Sequence, residues 1–190
     1  MFVGIDYGSK LAGTTVICYE QDGMLYFVQS EKKHNADELI LRFVREHHPS
    51  AIFLDAPLSL PKAYFGKGED FFYRAADRAT RAMSPMFIGG LTARAMRLHH
   101  QLSADGVTFY EAYPAGLANF LQLKPKGYKV GKTPEEALIK ALCAQFSIEL
   151  ARLPVNWHQF DSLLAYIIGL RHSTNTAQVL GNRDEGLIYF

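Results

Sequence analysis

The chain has 190 residues, 48% of them hydrophobic and 21% charged, with a net charge of +1. One domain is expected at that length, large enough to bury most of its apolar surface without a covalent staple. The near-zero charge argues against nucleic-acid binding by bulk attraction, no apolar run approaches the roughly 20 residues of a membrane span, and Cys18 and Cys143 lack the spacing of a zinc site or redox pair. Two buried thiols in a reducing, cytoplasmic setting are therefore expected, the more so because the opening MFVGIDYGSK has no basic leader and reaches an aspartate at position 6.

Phe2 to Ile5 is a short apolar run closed by Asp6, and Gly13 to Tyr19 is rich in β-branched residues; both read as strands. Asp22-Gly23 is the pair favoured where a tight hairpin needs positive φ, so the second strand should turn back into Met24 to Val28. Asn35 stands as an N-cap before Asp37 and Glu38, and Leu39, Ile40, Phe43, Val44 and His47 repeat at helical spacing until Pro49. Ala51 to Leu54 reads as a strand buried on both faces and ends on Asp55.

From Pro57 to about Leu102 prolines and glycines interrupt every period, which predicts a long irregular insertion with helical patches, a kind of segment that usually carries function. Val107 to Tyr110 resumes a strand and ends on Glu111. Thr133, Pro134 and Glu136 predict a capping box with proline at the first helical position, ahead of a stripe of Leu138, Leu142, Phe146 and Leu150. A helix from about Gln159 to Leu170 should turn Leu164, Ala165 and Ile168 inward, with Asp161 in its first turn, and Gly186 to Phe190 adds a closing strand.

Charge is unevenly spread. Lys62 to Lys132 holds eleven Lys/Arg against five Asp/Glu, a balance of +6, and the remainder is −5. A local excess of this kind suits a phosphate-binding face. Its candidate residues are Arg74, Arg78, Arg81, Lys124 and Lys132, with Arg94 and Arg97 beside them. Arg74, Arg78 and Arg81 have spacings that let them share a helical face, and Asp77 can pair with Arg81. An ordinary solvated surface is the bland alternative.

Three apolar strands end in carboxylates, Asp6, Asp55 and Glu111, and parallel strands would bring their ends to one edge of a sheet, where open α/β sheets bind ligands. Asp161 adds a fourth acid from a helix packed on that sheet. Clustered carboxylates repel, and a divalent cation removes the penalty; hard oxygen ligands select Mg²⁺ or Mn²⁺. A pair of such ions suits in-line displacement at phosphorus. His158, three residues before Asp161, can position a water or accept its proton near neutral pH. The glycines around Asp6 in Gly4-Ile5-Asp6-Tyr7-Gly8-Ser9 allow close approach of a phosphate or of another backbone.

In Gly4-Ile5-Asp6, the run Asp55 to Pro61, Arg74-x-x-Asp77-x-x-x-Arg81, Glu111-x-Tyr113-Pro114, the lysine-rich Lys124 to Thr133, Asp161 and Asp184-Glu185-Gly186-Leu187-Ile188, in that order, the chain resembles an uncharacterised prokaryotic family of predicted ribonuclease-H-like nucleases, over essentially its whole length. The resemblance implies a single ribonuclease-H-like α/β domain over 1–190: a mixed β-sheet flanked by helices, with the insertion at 57–102. It implies metal ligation by Asp6, Asp55 and Asp161, Glu111 as a further acid, and a metal-dependent nuclease acting on DNA or RNA. His158-x-x-Asp161 looks like the His-x-x-Asp arrangement of some Holliday-junction resolvases, whereas many relatives carry an acid where His158 stands and alanine where Ser162 stands. No membrane partner is expected, and a homodimer remains open. Two other readings stand beside it. Gly4 to Ser9 also looks like the first phosphate loop of actin-like and sugar kinases, although 190 residues leave no room for their second domain. A metal-binding or interaction domain without catalysis is the other.

Overall fold

The computed structural model describes residues 1–190. Its centre is a seven-stranded mixed sheet built from β1 (Phe2–Asp6), β2 (Val16–Gln21), β3 (Met24–Gln29), β4 (Ala51–Asp55), β5 (Thr108–Ala112), β6 (Val179–Asn182) and β7 (Gly186–Tyr189), in the order β3-β2-β1-β4-β5-β7-β6. β2 is antiparallel to both neighbours and β6 to β7, while β1, β4, β5 and β7 run parallel. The Asp22-Gly23 turn has φ of 52° and 79°, the two positive values that a tight hairpin with right-twisted strands demands.

Six helices cover the two faces: α1 (Ala36–His47), α2 (Ala75–Thr80), α3 (Gly89–Ser103), α4 (Pro114–Phe120), α5 (Glu136–Phe146) and α6 (Trp157–Ser173). α1 starts as its sequence predicts, with the Asn35 side chain accepting from the Asp37 N–H at 3.1 Å, and ends at His48 in the left-handed region just before Pro49. Val3, Ile5, Ile52 and Leu54 pack towards α1 and α3, forming one core with Ile40, Phe43, Ala95 and Leu98. The alternate strand positions face α4, α5 and α6, where Phe53, Ala112, Leu117, Leu142, Phe160 and Leu164 form the other. α6 is buried on every side from Gln159 to Gly169. It lies directly on β1: a Cβ built on Gly4 would stand 2.1 Å from the Tyr166 backbone nitrogen and 2.6 Å from the Ser162 carbonyl oxygen. Of the two uses expected for the glycines near Asp6, Gly4 serves the approach of a helix backbone.

Several boundaries differ from expectation. The insertion is irregular only to Ile88; α3 then runs fifteen residues and opens on Gly89 and Gly90. Glycine does not break a helix there, because first-turn N–H groups are outside the intrahelical ladder. α5 begins at Glu136 with extended Glu135 as its N-cap and no side-chain cap, so Thr133 and Pro134 form no capping box. Leu150 leaves the stripe of α5 and bridges to Leu25. α6 begins two residues early, which moves Asp161 out of its first turn. β6 was not foreseen, being glycine-interrupted and largely exposed. Of the thiols, Cys18 is buried and Cys143 half-buried, and neither is bonded. No helix is long and apolar enough to cross a membrane.

Candidate acidic site

Asp6 and Asp55 close two adjacent parallel strands and are register partners. Neighbouring strands lie about 4.8 Å apart, so two carboxylates at matched positions on one face are pressed together. Both share the face of Gly4 and Phe53, towards α6. That helix starts where Asn156 caps it through the Gln159 N–H at 2.9 Å, and its first turns set His158 and Asp161 over the strand ends. The Nδ1–H of His158 donates to Asp6 Oδ2 at 2.8 Å. Asp161 is held by a chain segment that composition alone did not single out: the Tyr128 hydroxyl donates to its Oδ1 at 2.7 Å, and the Lys129 ammonium meets Oδ2 at 2.8 Å.

The electrostatics follow from this crowding. Burial pushes the Asp55 carboxyl well above the usual range, and the charges of Asp6 and Asp161 push it further. Asp6 is also raised, by burial first; the bond from His158 opposes this and Asp161 reinforces it. His158 is raised because Asp6 holds its protonated form through the hydrogen bond. Burial alone would lower Lys129, but Asp161 outweighs it, with smaller pulls from Asp55 and Asp6, and the ammonium is stabilised. Lys129 is held at φ 58°, a left-handed conformation that costs a non-glycine residue about 1 kcal/mol. The two contacts that Tyr128 and Lys129 make with Asp161 offset that cost.

Glu111 takes a different partner, although its charge reaches Asp55 and the two line one small cavity. It pairs with Leu54 in the β4–β5 register, one residue short of Asp55, so strand alternation turns it to the opposite face. There Arg74, fully buried, donates to both its oxygens at 2.6 and 2.7 Å and also bonds Asp77. The Leu58 N–H takes Glu111 Oε2 as well. Glu111 is raised by burial, with Arg74 pulling it back. These bonds tie the insertion to β5.

The basic candidates separate in the same way. Arg74 is sealed in the interior and cannot meet a phosphate, and Asp77 pairs with it rather than with Arg81. Arg78 is exposed and bonds Asp70, Arg81 ends α2 in an exposed left-handed position, and the three arginines do not share a face. Arg94 and Arg97 both turn to Asp37, at 2.6 and 3.1 Å, where the Tyr7 hydroxyl also donates. Lys124 and Lys132 are exposed.

Three carboxylates in a half-buried cluster are hard oxygen donors, the kind that suits Mg²⁺ or Mn²⁺. As the side chains stand, no three His, Cys, Asp or Glu are placed to hold a metal ion together. Asp161 is turned onto Tyr128 and Lys129, and the Lys129 ammonium supplies the positive charge. The donor set therefore fits a divalent cation in kind, with Lys129 as the stand-in for it. Neither Tyr128 nor Lys129 was legible as part of the site; the only sequence signal was their place in the lysine-rich run.

Comparison with known proteins adds no relative: no family model, no curated protein and no solved structure matches the chain.

Proposed function

We propose that this protein is a metal-dependent nuclease with a ribonuclease-H-like sheet, in which Asp6, Asp55 and Asp161 hold Mg²⁺ or Mn²⁺ for phosphodiester hydrolysis. The observation that carries the reading is the register pairing of Asp6 with Asp55 beneath α6. Folding keeps two mutually repelling carboxylates side by side, an arrangement with no packing benefit that a cation would relieve. The sheet supports it: three antiparallel strands continue into parallel β4 and β5, with the acids at the ends of β1 and β4.

Bound there, a divalent cation would supply Lewis-acid stabilisation of charge developing on phosphate oxygens. The chain's own residues do the rest. Asp6 uses one oxygen to fix the His158 ring through Nδ1, which leaves Nε2 as the lone-pair nitrogen of the neutral tautomer, able to take a proton from an attacking water. Asp55 faces the same space without a hydrogen bond of the kind that fixes Asp6 and Asp161. Lys129 neutralises part of the charge on Asp161, and Asp161 would have to exchange that ammonium for a cation in order to ligate one.

The kinase reading finds less support. The Gly8 N–H that a phosphate loop would offer is taken by Thr15 Oγ1 at 3.0 Å, and the Gly8 carbonyl accepts from Arg94. The test is a Mn²⁺-dependent cleavage screen across single-stranded, duplex, hybrid and branched nucleic acids, with melting temperature read with and without Mn²⁺. Cleavage is expected, with Asp6→Asn losing at least roughly a hundredfold, the usual scale of general acid–base contributions. Absence of both cleavage and Mn²⁺ stabilisation in the wild type overturns the reading.

A further inference from the structure

The insertion between β4 and α3 exposes its aromatic residues. Tyr64, Phe65, Phe71, Phe72 and Phe87 are all close to half or more exposed, an unusual fate for rings that normally dominate cores. They are not packed flat on one another: Tyr64 and Phe71 meet edge to face at 5.4 Å, and Phe72 and Phe87 are tilted at 6.0 Å. Cations are interleaved with them. Lys62, Lys67 and Arg81 are exposed and make no ion pair, and Arg78 lies 4.8 Å over the Tyr73 ring while bonding Asp70. The base beneath is rigid, since buried Arg74 ties it to Glu111, and Glu185 accepts from the Lys62 and Ala75 N–H groups.

The segment that carries Phe87 reaches one acid of the site: Met83 and Ile88, which bracket Phe87 in the chain, share the wall of a cavity of about 100 Å³ with Asp55 and Glu111. Half-exposed rings, flanked by the unpaired Lys62, Lys67 and Arg81 and set on a base tied to Glu111 and Glu185 near Asp55, match the requirements for holding unstacked bases and their phosphates. A duplex hides its base faces and would use only the cations.

We propose that this aromatic surface is a stacking platform for single-stranded nucleic acid, delivering the strand to the acidic site. The proposal rests on the nuclease reading for its purpose, but binding is measurable without cleavage. The probes are fluorescein-labelled dT15 and U15 and a 15-base-pair duplex, titrated in EDTA against wild type, Phe72→Ala, Phe87→Ala and the double variant. Both single strands, or one of them if the sugar is also read, should bind at least tenfold more tightly than duplex. Each ring removed should weaken that binding about tenfold, with the salt slope unchanged because no phosphate contact is lost. Single-strand preference that persists undiminished in the double variant overturns the platform, as does equal affinity for duplex. Sedimentation of the same proteins covers the rival occupant: a wild-type dimer that the double variant dissolves makes this face a self-association surface and overturns the proposal. Ring-dependent binding without any Mn²⁺ cleavage would sustain the platform while removing the nuclease; cleavage indifferent to the rings would do the reverse.

Discussion

Asp55 is the residue on which charge and stability are most directly opposed. Its folded-state pKa lies above its unfolded value, because burial and then Asp6 and Asp161 disfavour the anion. Below the unfolded value, near 3.9, the group is neutral in both states and costs nothing; as pH rises past that point the unfolded chain releases its proton first and stability falls. Asp55→Asn is therefore expected to raise the melting temperature at pH 7 in EDTA, by on the order of 2–4 °C for each kcal/mol of repulsion removed. The gain should vanish at pH 3. Saturating Mn²⁺ should reverse the ranking at neutral pH, since the amide loses most of the coordination. Scanning calorimetry at the two pH values, with and without Mn²⁺, checks all three; an unchanged melting temperature at pH 7 would mean the acids are not in conflict.

At the scale of elements, the contact between α6 and β1 sets the site, and Gly4 is what permits it. A methyl group there meets backbone atoms of Tyr166, Ala165 and Ser162 at 2.1 to 2.6 Å, and backbone cannot swing aside. Gly4→Ala should cost about 1–3 kcal/mol, the range for overpacking a core. By lifting α6 it should also part His158 from Asp6, so that the His158 pKa, followed by NMR, falls back towards its ordinary value. Gly90→Ala, whose Cβ meets nothing and whose φ is not positive, is the control for the loss of glycine itself. The strands ending in Asp6 and Asp55 and the helix carrying Asp161 were legible because apolar runs and their closing acids are local patterns. That Glu111 would pair with Arg74 was not legible, because its face depends on register with β4, which no run of residues in β5 encodes. Arg74 read as a phosphate-binding candidate because Glu111, the partner that holds it in the interior, lies 37 residues away, just as the Arg94 that holds Asp37 lies 57 away. Tyr128 and Lys129 reach Asp161 across 33 residues or so from a segment with no period at all.

Taken whole, the molecule is a sheet with a large insertion tied down by buried Arg74 and by Glu185. Arg74 neutralises Asp77 and Glu111 together, and removing it strands two acids in the interior. Arg74→Met should destabilise the fold by about 3–5 kcal/mol, the penalty for breaking a buried pair. Replacing Glu111 by Leu in the same chain should recover part of that loss, because one of the stranded charges goes with it; urea unfolding of the single and double variants measures both.

The same tethers have a consequence for synthesis. The carboxylate that accepts from Lys62 and Ala75 belongs to Glu185, 123 and 110 residues further along. At roughly 5–20 residues per second on the ribosome, the exposed phenylalanines wait on the order of ten seconds before their foundation exists. During that interval a nascent chain presents sticky rings with no fixed geometry, so chaperone dependence in the cell should track residues 179–189 rather than the insertion that makes them necessary.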